Sequence, residues 1–166
     1  MPKVNPKARP KAASKAKPTL FTIGYEKATP QALIDELKRA KVKLLVDTRA
    51  VAASRKPGFS KRQLSAALDE NGIAYLHLQK LGTPAEGRTA ARSGDLKSMW
   101  KIYEKHLKTK DAKDAMTELL AIVQDGPRSC LLCFEREVSH CHRQRIAEVV
   151  QERLGVAITN LAPRLF

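Results

Sequence analysis

Cys133, Glu135, His140, Cys141, His142 and Arg143 fall within eleven consecutive residues. These residue types can supply a thiolate, a metal ligand, a proton-transfer group or an anion contact. The run 130–134 is apolar and reads as a buried strand, which empties into a polar loop. A helix then opens at Arg143 and runs to residue 154. A strand, a polar loop and a helix start in succession are where α/β proteins place their chemistry.

Each chemistry makes a different demand on these residues. Cys141 stands just before a helix, between His140 and His142 and followed by Arg143, surroundings that lower a thiol pKa. The thiol enzymes that use a phosphate-binding loop place an arginine six positions after the cysteine. Here that position is Ala147 counted from Cys141 and Ser139 counted from Cys133. A packing role is therefore the stronger reading of Cys141, with a nucleophile as the alternative. Structural zinc sites usually draw on two separated ligand pairs. Cys133, His140, Cys141 and His142 form one cluster, so no metal and no other cofactor is expected. Cys130 and Cys133 make a C-x-x-C, but strand alternation points them to opposite faces.

Anion binding asks less of the spacing. Arg143 lies in the first turn of its helix, where free N–H groups and the helix dipole favour a phosphate. Arg49, Arg55 and Lys56 follow a second strand, and arginine suits bidentate phosphate contacts. Gly24 and Gly58 let backbone approach closely, and Tyr25, Gly82 and His142 complete the expected ligand-binding set. Glu26, Asp47 and Glu135, with Cys141, are the candidate catalytic residues. The same acids would serve equally well as structural partners for the arginines.

The elements that must bring these residues together alternate in type. Strands are expected over residues 20–23, 42–47, 73–78, 130–134 and 156–161. Thr29-Pro30 is a helix N-cap and first-turn proline, with Leu33, Ile34 and Leu37 at helical spacing. Ser60 reads as a second N-cap, ahead of Leu64, Ala67 and Leu68, and Asn71-Gly72 closes that helix. Residues 81–95, with Gly82, Pro84, Gly87 and Gly94, are expected to form a long polar loop. Helices follow over 96–108 and 111–124, the first burying Met99, Trp100, Tyr103 and Leu107. This alternation implies one three-layer α/β domain over residues 19–166. Its sheet is mainly parallel, of about five strands, with helices on both faces. The loops after the strands then share one edge, where the candidate residues converge.

The chain has 166 residues and a net charge of +14. Residues 1–18 hold six cations (Lys3, Lys7, Arg9, Lys11, Lys15 and Lys17) and no acid, and are expected to be a disordered basic arm. The remainder still carries +8, a field that attracts polyanions. No apolar run approaches the roughly 20 residues that span a bilayer. The N-terminus lacks the apolar core of a secretory signal, so a cytoplasmic protein with reduced thiols and no membrane partner is expected.

Thr22-Ile23-Gly24-Tyr25-Glu26, Leu45-Val46-Asp47-Thr48-Arg49 and Ser54-Arg55-Lys56-Pro57-Gly58-Phe59-Ser60 occur in that order. Leu78 with Leu81-Gly82, Cys133-Phe134-Glu135 and Cys141-His142-Arg143 come after them. Taken in this order the motifs resemble the DUF488 family. The resemblance runs from Leu20 onward and implies a small cytoplasmic α/β domain, without implying a reaction. Between the two cysteines family members typically carry a short acidic or proline-bearing loop. This chain has Arg136-Glu137-Val138-Ser139-His140 there.

The expected function is binding of a phosphate-bearing ligand, nucleic acid or a nucleotide, with a hydrolase or glycosylase-type reaction on it. The alternatives are a non-catalytic nucleic-acid-binding or interaction module and a thiol-dependent enzyme using Cys141. If the arm contacts phosphates, deleting it weakens binding to duplex DNA. Its six charges correspond to a log–log salt slope of roughly −5, which the deletion removes. Titrations of the full and truncated chains at several salt concentrations check this.

Overall fold

The computed structural model describes residues 18–165. The expected basic arm lies almost wholly outside the described residues. Five strands, β1 (Thr19–Gly24), β2 (Leu44–Asp47), β3 (Ala74–His77), β4 (Ser129–Cys133) and β5 (Ala157–Leu161), form one parallel sheet in the order β3-β2-β4-β1-β5. The helices are α1 (Pro30–Arg39), α2 (Lys61–Glu70), α3 (Ala85–Arg92), α4 (Leu96–Leu107), α5 (Lys110–Asp125) and α6 (His142–Leu154). The expected α/β class, strand number and parallel sense are all present.

Two apolar layers hold the sheet. Leu33, Ile34 and Leu37 of α1 and Leu64 and Leu68 of α2 pack on one face with Ile23, Leu45 and Leu132. Tyr103, Met116, Leu119, Ile146 and Val150, from α4, α5 and α6, cover the other face with Leu20, Val46 and Leu131. β1, β2 and β4 are buried on both faces, so they read as unbroken apolar runs rather than alternating ones.

Right-handed crossovers decide which helix goes where. The chain steps from β1 over β4 to β2 and onward to β3, which puts α1 and α2 on one face. It then steps back to β4 and across β1 to β5, which puts α4, α5 and α6 on the other. The loops leaving β1 and β2 therefore turn away from the loop leaving β4. Such divergence opens a crevice at the carboxyl ends of the strands.

Local signals act largely as read. Thr29 Oγ1 accepts from the Ala32 N–H as the α1 cap, and Gly72 takes φ +71° after α2. Ser60 occupies the α2 cap position but makes no cap bond. Its hydroxyl instead accepts from the Ser54 N–H at 3.0 Å, bracing the loop before the helix.

The expected long loop over 81–95 is corrected: α3 occupies its middle. Its glycines and proline read as breakers, yet Pro84 sits at the N-cap and Gly87 is where the helix presses on its neighbours. A Cβ at Gly87 would come within 2.5 Å of Thr83 Cγ2 and 3.4 Å of Ile102 Cγ2. Only Gly87 of α3 is buried, which left no apolar period to find.

Gly82 belongs to the frame for a similar reason. A Cβ there would overlap the Ala50 backbone, on the loop that follows β2. Gly82→Ala is expected to lower stability by about 1–3 kcal/mol, the usual range for overpacking. Denaturant unfolding measures this as a lower midpoint at unchanged slope.

Candidate functional site

The crevice at the carboxyl edge of the sheet is a cleft of about 300 Å³, at the lower end of the range for small-ligand sites. Its walls come from the ends of three strands and from α3. Tyr25 follows β1, Arg49, Ala50 and Val51 follow β2, and Cys133, Phe134 and Glu135 end β4. Arg88, Ala91 and Arg92 come from α3, Met99 from α4, and His140, Cys141 and His142 from the start of α6.

Sheet register explains the convergence. Gly24 and Cys133 are neighbours on adjacent strands. The chain beyond β4 folds across the end of β1, with Tyr25 N–H donating to the Cys133 carbonyl at 3.2 Å and Glu26 N–H to that of Phe134 at 2.8 Å. Any Cβ at position 24 would collide with the Glu135 carbonyl, so only glycine lets this loop close. On the other side, the Thr48 N–H and hydroxyl both donate to the Leu132 carbonyl, at 3.0 and 2.8 Å.

Two of the arginines expected to bind ligand are instead built into the frame. Arg49 makes a fork-to-fork contact with Asp47 (Nη2–Oδ2 2.8 Å, Nε–Oδ1 2.9 Å). Its Nη1 donates to the Tyr25 hydroxyl at 3.2 Å and the Phe59 carbonyl at 2.7 Å. Burial alone would lower the Arg49 pKa, but hydrogen bonding to Asp47 and its charge outweigh that and raise it. Asp47 is fully buried and also accepts from the Tyr75 hydroxyl at 2.5 Å. It does not line the cleft and is occupied as the counter-ion of Arg49.

Arg143 is 1% exposed, with no carboxylate at ion-pair distance among the described residues. It donates to Thr22 Oγ1 at 3.2 Å, Cys133 Sγ at 3.1 Å, the Arg136 carbonyl at 3.2 Å and the Glu135 carbonyl. Burial lowers its pKa to about 10, which still leaves it charged at neutral pH.

The remaining expected residues divide. Lys56 reaches the Tyr25 carbonyl at 3.4 Å and lies over the Phe59 ring, and Arg55 is exposed away from the cleft lining. Gly58, at φ +88°, presses on Pro30, and Gly82 packs on Ala50. Tyr25 stacks on Phe59 at 4.5 Å and presents itself to the cleft. Glu26 accepts from the Arg136 N–H at 3.1 Å. Glu135 lines the cleft, and burial, then the charge of Glu26, raises its pKa. Of the acids considered, Glu135 alone lines the cleft.

Cys133, Cys141 and His142 come together as the sequence did not foretell. The two sulfurs are joined as a disulfide, and each sulfur lies within 4.8 Å of a His142 ring nitrogen. His142 Nε2 is 2.8 Å from the Thr48 carbonyl. A carbonyl only accepts, so Nε2 carries the hydrogen and the Nδ1 lone pair faces Cys141 Sγ at 3.8 Å. Burial, more than the nearby Arg143 charge, lowers the His142 pKa to about 4, so the ring is neutral at pH 7. His140, counted with these residues in sequence, is exposed at the rim. Cys130 stays apart in the core as a free thiol, its pKa raised by burial.

Arg88 and Arg92 escaped the sequence reading. They sit in the stretch read as loop, four positions apart on α3, and both line the cleft. Arg88 is half-buried and touches the Thr83 carbonyl at 2.8 Å, while Arg92 is exposed and reaches Thr89 Oγ1 at 3.3 Å. Helical spacing of the pair was the one available signal.

Fold and cleft define a parallel α/β domain with a cleft at the switch point of its sheet. The family model for the domain of unknown function DUF488 matches residues 29–150, and the chain belongs to this family. No curated protein and no solved structure matches it significantly.

If Asp47 exists to neutralise Arg49, then Asp47→Ala leaves a buried charge unpaired and costs about 3–5 kcal/mol. Removing both partners should cost less than the sum of the single losses. A double-mutant cycle by urea unfolding measures that coupling.

Proposed function

We propose that the domain binds a phosphate-bearing ligand, nucleic acid or a nucleotide, in the cleft at the carboxyl edge of its sheet. One observation carries this reading. Arg88 and Arg92 line the cleft from α3, and neither forms an ion pair with a carboxylate among the described residues. Arg49 and Arg143, the expected anion ligands, give most of their N–H groups to protein acceptors and hold the walls in place. The exposed Phe134 ring in the lining suits a base or sugar, and the +14 charge of the chain favours a polyanion.

Glu135, held towards its protonated form, is the group best placed to donate a proton to a leaving oxygen or nitrogen, as a hydrolase or glycosylase-type reaction requires. A free attacking thiol at Cys141 fits less well, because Cys141 is 2% exposed and joined to Cys133.

Orthophosphate and a short single-stranded oligonucleotide are the probes. Either is expected to raise the melting temperature of the wild-type protein, by the equivalent of about 2.7 kcal/mol at 100 times its dissociation constant. Arg88→Ala with Arg92→Ala should abolish the shift, and Arg55→Ala should leave it. Equal shifts in wild type and the double variant would refute the reading.

A further inference from the structure

Arg143 carries a positive charge into the interior with no carboxylate at ion-pair distance among the described residues. One of its contacts is a sulfur: Nη1 donates to Cys133 Sγ at 3.1 Å. In a disulfide that sulfur is uncharged, whereas as a thiolate it would be the missing counter-ion. His142 poses a second question. Its Nε2–H is used on the Thr48 carbonyl, leaving the Nδ1 lone pair aimed at Cys141 Sγ, which in a disulfide has no hydrogen to give. A metal-binding histidine is held in this way, with its far N–H on a backbone carbonyl and its near lone pair turned to the ion.

Spacing points the same way. The Cα atoms of Cys133 and Cys141 stand 7.5 Å apart, beyond the roughly 4.4–6.8 Å that a disulfide usually spans. The three donor atoms lie within 4.8 Å of one another, with His142 Nδ1 3.8 Å from Cys141 Sγ. Zinc–sulfur bonds of about 2.3 Å and zinc–nitrogen bonds of about 2.0 Å put the donors of a tetrahedral site about 3.5–3.8 Å apart. Two thiolates and an imidazole suit a borderline-soft divalent ion.

We infer that Cys133, Cys141 and His142 of the reduced protein hold one divalent metal ion of the zinc class. All three residues line the cleft, so the fourth position opens into it. Three protein ligands and an open position is the arrangement of reactive zinc sites rather than structural ones. Water or an anionic oxygen of a cleft ligand completes the tetrahedron there. Forming the site from the disulfide takes two electrons from a thiol or phosphine reductant, and the two thiol protons leave to solvent as the metal binds. The inference stands apart from the anion reading, since none of its ligands is an arginine.

The test uses the full chain, reduced with a phosphine, freed of reductant without air and titrated with Co²⁺. One equivalent should bind. It should give the intense visible absorption of a tetrahedral site and a near-ultraviolet thiolate-to-cobalt band, and Zn²⁺ should displace it. Cys133→Ser, Cys141→Ser and His142→Ala should lose or shift these bands, while Cys130→Ala keeps them. Circular dichroism identifies any variant that does not fold, and the wild-type titration stands without the variants. A reduced wild-type protein that binds no stoichiometric Co²⁺, that shows only a pale octahedral spectrum, or whose spectrum survives loss of both cysteines overturns the inference.

Discussion

A guanidinium buried without a carboxylate is the constraint on which the cleft depends. Arg143 leaves α6 and donates to β1 at Thr22, to β4 at Cys133 and to two carbonyls of the loop that follows β4. Four acceptors from three segments take four of the five N–H donors of one planar fork. Each would otherwise be a buried polar group lacking a partner, costing about 1–3 kcal/mol. Removing Arg143 would thus free the loop that carries Glu135, the sulfur of Cys133 and the start of α6 together. The neighbouring Gly24 exists for the same closure, because any side chain there would block the carbonyl that Arg143 holds.

Arg49 performs the matching task on the other wall, with a different solution to the charge. Asp47 neutralises it directly, and the Tyr25 and Tyr75 hydroxyls complete the cluster. His77 and Gln79 hold the loop after β2 from the β3 side, through the carbonyls of Arg49 and Ala50 at 2.7 and 3.1 Å. Both walls are therefore fixed by buried cations, whereas Arg88 and Arg92 face the cleft from α3.

The sheet was legible because its three inner strands are buried on both faces and its helices carry apolar stripes. Leu33, Ile34 and Leu37, or Met99 and Tyr103, announce themselves by spacing. Convergence of the loops followed from topology alone, without any single residue. Partners could not be read in this way. Whether Arg143 meets a phosphate or the Glu135 carbonyl depends on where a loop more than a hundred residues from β1 closes over it. The approach of Cys133 to His142 likewise depends on β4 and α6 diverging by a fixed amount. The α3 helix was invisible because its stability comes from close packing at one glycine rather than from an apolar face.

That glycine has an effect out of proportion to its size. Gly87 is the single buried residue of α3 and the point where the helix rests on Thr83 and Ile102. Two of the three arginines that line the cleft, Arg88 and Arg92, ride on the same short helix, whereas the sulfurs and imidazole are anchored in the sheet and α6. The aperture between them is thus set by a short helix packed on α4 facing groups held by the sheet and α6. Adding one methyl group at position 87 would press α3 against Thr83 and Ile102 and so shift Arg88 and Arg92, while leaving every residue in the cleft chemically unchanged. In this fold, what fits would then be decided separately from what reacts.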